Sequence, residues 1–525
     1  MAEPFPEKEI DELYELPDGW IWVRLSDVIN DFQPGFACGA RDDRGYVQLR
    51  MNNIGLDGRL VLEKTLRVPI EKTNMGKYNL RIGDILFNNT NSVELIGKTA
   101  LFMDEVKNCV FSNHITRIRP DTQLINSKYL LNVFINDYNR GIFRMMCHRF
   151  VGQAGISRKK LLEHTLPLPP IPEQHRIVAK LESLLAQVNR SKDHLVEVPL
   201  LIKRFRQSVL AAACSGRLTE DWRREHPDVE PASELLNRIR EERIRRYDEE
   251  CRKAEAEGRR KPKKPKNLEV LEVDTEGLPE LPEGWVWCKI ENFIRDFQPG
   301  FACGARDDRG YVQLRMNNIG LDGSVVLEKT LRVPIEKTNI EKYNLRMGDI
   351  LFNNTNSVEL IGKTALFRDE IQNCVFSNHI TRIRPDVRVV TPKFLLYLFN
   401  DTYNKGIFQM MCHRFVGQAG ISREKLLEHT LPLPPLLEQR AIAERVERVF
   451  HFADEVEQRV AAATTHANQL TQSTLARAFR GELVPQDPND ESVSVLLERI
   501  KQERAKNEME KKTGKRKTET LLDYC

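Results

Sequence analysis

The sequence predicts two copies of a mixed α/β (α+β) domain, separated by long antiparallel coiled-coil helices and related by a pseudo-two-fold axis. Three observations carry this. A long block is written twice. Each copy opens with short β-prone runs punctuated by Gly and Asn, as turns would be. Each then passes through a proline-rich hinge into an apolar stripe of 4-3 spacing, the seam of a coiled coil.

The repeat comes first. DFQPGFACGARDDRGYVQLRMNNIGLDG begins at Asp31 and again at Asp296, a shift of 296 − 31 = 265 positions. NCVFSNHITRIRPD recurs at Asn108 and Asn373, MMCHRFVGQAGISR at Met145 and Met410, and LLEHTLPLPP at Leu161 and Leu426. LPDGWIW at Leu16 returns as LPEGWVW at Leu281. LLNRIREER at Leu235 returns as LLERIKQER at Leu496, now shifted by 496 − 235 = 261, so a four-residue deletion lies between Gly481 and Leu496. Many short repeats would make a solenoid; two long ones make a pseudo-symmetric molecule. The parts before Pro170 and Pro435 are almost the same, whereas the helical parts share pattern more than identity.

The elements follow in order. We divide the chain into a tail (1–14), a first domain (15–170), a central helical region (171–258), a basic Pro/Lys linker (259–279), a second domain (280–435), a distal helical region (436–510) and a tail (511–525). YVQLRM, GDILFNN and the imperfectly alternating HITRIRP read as strands, and Ser127–Asn139 as a helix. LPLPPIPEQ at Leu166 signals a helix entry: prolines stop what precedes, Pro172 suits the first helical position, and Glu173 suits the positive helix start. Beyond it, Ile177, Leu181, Leu184, Val188 and Leu195 form the stripe, and Ile442, Val446, Val449, Ala453, Val456 and Val460 form its counterpart. Pro199 is expected to interrupt and kink the first helix, after which Val198, Ile202, Phe205, Val209 and Ala212 resume the stripe. From Glu173 to Ala213 the helix would span about 60 Å at 1.5 Å per residue. Each stripe could cap its own domain; a two-fold relation favours the two helices pairing antiparallel. GRRKPKKPKN (Gly258–Asn267) reads as a stiff, solvated linker more than as a phosphate-binding segment.

Composition excludes several classes. The 525 residues exceed one ordinary core. No apolar run of about 18 residues exists, so no membrane span is expected, and the acidic N-terminus is neither a secretory signal nor a transit peptide. Net charge is +4, too mild to announce a nucleic-acid partner, although it leaves room for local basic patches. Ten cysteines without a CxxC pair fit free thiols in a reducing cytosol. Cys147-His148 and Cys412-His413 fall short of four metal ligands, so no metal is expected. LIGKTALF at Leu95 and Leu360 contains GKT, but a phosphate loop would need glycine where Ser92 and Ser357 stand. The dinucleotide fingerprint, GxSxG, HExxH, NPP(F/Y) and a nuclease carboxylate–lysine cluster are all missing. His114/His379 and His148/His413 lack sequence-near base–carboxylate sets. The chain alone is expected to be no enzyme, with no catalytic residues.

What remains is a duplicated set of fork-shaped side chains in loops. The first copy carries Arg41, Arg44, Gln48, Arg50, Asn52 and Asn53, then Asn88, Asn89, Asn91 and Ser92, then Lys98, His148 and Arg149. The second repeats them as Arg306, Arg309, Gln313, Arg315, Asn317, Asn318, Asn353, Asn354, Asn356, Ser357, Lys363, His413 and Arg414. Arg pairs bidentately with guanine, and Asn or Gln with adenine, in the major groove; Lys and Ser fit phosphates and fix register. Each Asn could equally make a turn, and Arg50 could be a solvated strand residue.

Five segments are similar to the specificity subunits of type I restriction–modification enzymes over nearly the whole chain. They are LPDGWIWVRLSDV at Leu16, GDILFNNTNSVELIGKTALF at Gly83, GQAGISRKKLLEHTLPLPPIPEQHRIVAKLESLLAQVNRSKDHL at Gly152, KRFRQSVLAAACSGRLTEDWR at Lys203 and QLTQSTLARAFRGELVPQDP at Gln469. The resemblance implies that each domain is a target-recognition domain reading one half of a split double-stranded DNA sequence. It implies that the helices act as a ruler and dock two methylation subunits, which carry S-adenosylmethionine and methylate adenine. Restriction subunits using ATP and Mg would join them, and this chain itself would bind no cofactor and no membrane. The setting would be prokaryotic cytoplasm, at the nucleoid. The domains commonly differ in that family; here they nearly match, so equal readers about a dyad should see an interrupted palindrome, with half-sites about 10 bp apart centre to centre. A single-chain DNA-modifying enzyme, or a coiled-coil scaffold for nucleic acid or protein, are the alternatives.

Overall fold

A computed structural model of the chain describes residues 14–103, 106–150, 152–262, 273–368 and 371–503. Apart from Tyr14, the expected tails lie outside the described residues, as does the linker from 263 to 272. The chain forms two compact units, Met1–Val196 with Ala461–Cys525, and Glu197–Val460.

In the first domain the elements run β1 (Ile21–Arg24), β2 (Ile29–Pro34), β3 (Tyr46–Leu49), β4 (Leu66–Val68), α1 (Met75–Tyr78), β5 (Ile85–Asn88), β6 (Thr90–Asn91), β7 (Thr99–Leu101), β8 (Cys109–Phe111) and β9 (Ile115–Pro120). Then come α2 (Ser127–Asn139), α3 (Ile142–Met146), β10 (His148–Phe150), β11 (Gln153–Gly155), α4 (Arg158–Leu162) and β12 (Thr165–Leu168). The central sheet is antiparallel, in the order β2-β9-β5-β7. A second sheet, β4-β3-β8, contains a parallel β3–β8 pair. A third, β10-β11-β6, is small, and β1 pairs with β12 where the domain is entered and left.

Period-two alternation explains the layers. On β5, Ile85 and Phe87 join a core with Tyr129, Leu130, Val133 and Phe134 of α2 and Phe143 of α3. Leu86, between them, joins a separate core with Val47, Leu49, Cys109 and Phe111. The central strand β5 is therefore buried on both faces, which is why ILF reads as a continuous apolar run. Phe87, Phe134 and Phe143 meet edge to face at 5.0–5.7 Å between centroids. Gly97, at φ 86°, passes so close that a Cβ there would lie 2.5 Å from the Phe143 ring. Helix α2 matches the expected range, and the Asn126 side chain caps it by accepting from the Lys128 and Tyr129 amides. The second domain repeats each sheet with the same pairings.

After β12 comes α5, Ile171–Cys214, one helix of 44 residues or about 66 Å. It runs through Pro199 unbroken, contrary to the expected interruption. Proline forfeits only the bond to the Leu195 carbonyl, and the surrounding turn, with Val196, Leu200 and Leu201 exposed, is open to water. Helices α6 (Glu220–Glu225) and α7 (Ala232–Ala256) follow, and the distal long helix is Leu436–Phe479, again 44 residues.

In the first unit, Ile177, Val178 and Leu181 share the domain core with Leu475, Ala478, Phe479 and Val493, while Lys192 reaches Thr471. Numbers rise on one helix as they fall on the other, so the pair is antiparallel. In the second unit, Val209, Leu210 and Ala213 share a core with Ile442, Ala443 and Val446; Arg206 pairs with Asp454 and Glu457, and Arg445 with Asp221. The stripe thus does both things weighed from the sequence: its first turns close the domain and its flank meets the other helix. Phe205 is an exception, since it is exposed.

Both units bury a glutamate where the helix begins. Glu173 accepts from Trp20 Nε1 at 2.9 Å and Gln486 Nε2 at 3.2 Å. Glu438 accepts from Trp285 Nε1 at 2.8 Å, Thr219 Oγ1 at 2.7 Å and Arg223 Nη1 at 2.5 Å. Glu173 stands in the first turn of its helix, as the sequence suggests, and there it is also buried and hydrogen-bonded. Arg223 lies on α6, which has no helical counterpart in the second copy; there an irregular segment leads directly into the helix at 493–503.

Candidate nucleic-acid interface

The sheets converge at one edge of each domain. The C-terminal ends of β2, β3, β5 and β8 and the start of β9 meet there, because β3 and β8 run parallel while β9 is antiparallel to both β2 and β5. Backbone bonds stitch the loops together. Ser112 N donates to Leu49 O at 2.9 Å, Asn113 N to Phe36 O at 3.2 Å, Asn89 N to His114 O at 3.1 Å and Ile156 N to Asn89 O at 3.0 Å. The last bond ties in the β10–β11 hairpin, whose Ala154 and Gly155 pair with Asn91 and Thr90.

This edge brings together Arg50, Asn52, Asn89, Asn91, Ser92, His148 and Arg149. Asn52, His148 and Arg149 are exposed; Arg50, Asn89, Asn91 and Ser92 are half-buried. The exposed Arg41 and Arg44 sit on the loop that leads away from it, back to the start of β3, where Asp42 N bonds Arg67 O. In the second copy Arg306, Arg309, Asn317, His413 and Arg414 are exposed, while Arg315, Asn354 and Ser357 are half-buried.

Other expected contacts point inward, and each has a structural job. Gln48 Nε2 donates to Phe36 O at 3.1 Å, as Gln313 does to Phe301 O. Asn53 Oδ1 accepts from Arg50 N at 2.9 Å while its Nδ2 donates to Val61 O at 2.7 Å, and Asn318 repeats this. Asn88, fully buried, donates to His114 O at 3.0 Å; Asn353 is buried equally. Asn356 Oδ1 accepts from Ser357 N inside its loop. Lys98 and Lys363 were expected as loop cations facing phosphate. Instead Lys98 Nζ donates to Met51 O at 3.1 Å and Ile54 O at 2.7 Å, and burial lowers its pKa. Lys363 does the same with Met316 and Ile319. An ammonium spent on two carbonyls inside the domain is a loop clamp.

The edge also holds polar atoms without partners. Arg50 Nε, Asn89 Oδ1, Ser112 Oγ and His114 Nδ1 are buried and make no hydrogen bond, and the same atoms of Arg315, Asn354, Ser377 and His379 repeat the pattern. Each such atom costs about 1–3 kcal/mol, and folded proteins leave few of them. Ser112, Asn113 and His114 were missed as site residues from the sequence. The available signal was a polar Ser-Asn-His triplet between two β-prone runs. Nearby, bonds from its own amide and from Ser92 hold the Glu94 carboxyl below the usual range, with Arg144 and Arg149 adding to the effect. Among the described residues no cluster of three or more metal-ligating side chains occurs, and no helix is long and apolar enough to cross a membrane.

Residues 17–198 and 317–463 match the family model for the type I restriction modification DNA specificity domain. The type I restriction enzyme EcoKI specificity subunit of Escherichia coli strain K12 is 27% identical over 513 residues, covering 94% of this chain and 97% of that one. The EcoBI specificity subunit of Escherichia coli is 31% identical over 364 residues, 67% of this chain and 66% of that one. A chain from a solved structure concerning complex assembly and conformational transition of the type I R-M system aligns over 89% of this chain and all of its own length. Its TM-score is 0.62 at 20% identity, which establishes a shared fold.

Proposed function

Because the chain belongs to the type I restriction–modification DNA specificity family, and is the non-catalytic specificity subunit of such a complex, we propose that each domain reads one half of a split duplex target through its strand-end edge. The observation that carries this is the repeated set of four unpartnered polar atoms at that edge, beside exposed Arg, Asn and His side chains. Arg50, Asn52, Asn89, Ser92, Asn113, His148 and Arg149 form the reading set, repeated 265 residues later. Arg41 and Arg44 meet flanking phosphates. The inward-facing Gln48, Asn53, Asn88 and Lys98 hold the loops in place.

Equal edges read equal half-sites. We infer that the target is an interrupted palindrome, its half-sites near one helical turn, about 10 bp, apart. Support comes from the duplication itself, which repeats the same reading residues 265 positions apart. Two methylation subunits carrying S-adenosylmethionine act on adenine, and restriction subunits using ATP and Mg complete the complex. The exposed Leu200, Leu201, Phe205 and Phe452 offer apolar surface for docking such subunits. Sequencing methylated adenines in the host genome tests the target. Two identical half-sites in inverted order are expected; unrelated half-sites, or a direct repeat, would sink the palindrome.

A further inference from the structure

The β10–β11 hairpin carries a feature that hydrogen-bond readout does not use. Phe150 is 46% exposed and Phe415, its counterpart, 47%, and Val416 at the second hairpin's turn is fully exposed. Apolar side chains on a hairpin tip lose the gain of burial, so two equivalent exposed phenyl rings call for a surface that covers them.

The rings are held ready. Along β10, His148 and Phe150 share one face and Arg149 takes the other. The His148 and Phe150 rings lie 5.8 Å apart, tilted by 37°, and His413 and Phe415 repeat this at 5.8 Å and 38°. Both rings rest on Gly155 of the neighbouring strand. A Cβ at that position would sit 3.2 Å from Phe150 and 3.4 Å from His148. The same holds at Gly420, at 3.2 Å and 3.3 Å. Glycine thus lets both rings close against the strand as a preformed, angled plate with its outer side open.

We propose that this His148–Phe150 plate, and His413–Phe415 in the second domain, is a stacking contact with duplex DNA that wedges against the bases and unstacks one step beside each half-site. The inference rests on the DNA reading above. The occupant follows from position: β11 is paired to β6 inside the Asn88–Ser92 segment, so the plate continues the strand-end edge. Charge agrees in the first domain, where Arg144 and Arg149 outnumber Glu94, and in the second Arg414 offsets Glu359. Aromatic faces stack on any base, and apolar wedges between base steps kink a duplex.

The test uses the full chain, alone and assembled with its methylation subunits, on duplexes carrying the methylome-defined site. Phe150→Ala with Phe415→Ala should weaken binding by roughly tenfold per ring. It should abolish permanganate-reactive thymines beside the half-sites and reduce DNA bending read by end-to-end energy transfer. The slope of affinity against salt should stay unchanged, because no charge is removed. Phe150→Trp with Phe415→Trp should restore all three signals. Unaltered affinity and thymine reactivity in the alanine pair, with wild type still discriminating its site, overturns the wedge and leaves the DNA reading intact. Normal DNA binding by the alanine pair with failure to assemble with the other subunits also overturns it, and marks the plate as a protein contact. A wild-type chain that prefers no sequence, yet loses roughly tenfold per ring when its rings are removed, keeps the wedge and sinks the half-site reading.

Discussion

Exchanging Glu438 for Gln should cost far more than exchanging its counterpart Glu173. Glu438 is fully buried, and its carboxylate takes bonds from Trp285, Thr219 and the Arg223 guanidinium. An amide keeps one acceptor oxygen, turns an NH2 toward a donor, and strands Arg223 without its counter-charge. Breaking a buried pair costs about 3–5 kcal/mol; Arg223 retains 19% exposure, which places the loss near the lower end, about 3 kcal/mol. Glu173 has only neutral donors, Trp20 and Gln486, and burial raises its pKa against their opposing pull. Gln there removes a poorly solvated charge, so the change should stay within about 1 kcal/mol. The pH dependence has a definite sign. A carboxyl whose native pKa is raised leaves the folded unit less stable as pH climbs from the unfolded value near 4.3 through the native one. Glu173→Gln abolishes that decline, so its relative stability improves from acid to neutral pH. Hydrogen exchange of the full chain, read on peptides containing Trp20 and Trp285, separates the units. About 3 kcal/mol corresponds to roughly 150-fold faster opening around Trp285. Equal effects in the two units, or a larger loss with Glu173→Gln, would refute the assigned roles.

Asn53→Ala removes two buried bonds and should cost about 2 kcal/mol by thermal melting, with Asn318→Ala doing the same in its own unit. Lys98→Met should destabilise the domain by about 1–3 kcal/mol, since it deserts the Met51 and Ile54 carbonyls. The slope of log affinity against log salt should not change in that variant; a lower slope would return Lys98 to the phosphate backbone. Arg149→Ala should reduce that slope by about one, and adding Arg414→Ala by about one more, in binding titrations across salt concentrations.

The repeat, the helix at Ser127–Asn139 and the long apolar stripes were legible because periodicity and duplication are written in residue order. Side-chain direction was not. Asn53 and Asn52 are adjacent in one polar string, yet one turns inward to close a loop and the other faces water; nothing local distinguishes them. Lys98 follows a glycine in a motif that suggests phosphate, but its partners are carbonyls 44 and 47 residues earlier. The Ser112–His114 turn became a site only when the parallel β3–β8 pair placed it beside Arg50. Pro199 misled because a lone proline on a solvated helix surface sacrifices a single bond. Glu173 fits the helix-start rule, but its partner Trp20 is 153 residues away.

The borrowed closing segments set a timetable for biosynthesis. Leu181 emerges from the ribosome long before Leu475, its companion in the same core, 475 − 181 = 294 positions later. At about 5–20 residues per second the first domain waits roughly 15–60 seconds with a greasy flank uncovered. Meanwhile a near-copy of itself is being extruded, with a helix that could dock in the wrong place. Nascent chains of this protein should therefore recruit holding chaperones until the last helix appears, and slowing the codons of the second half should lower the yield of correctly closed molecules.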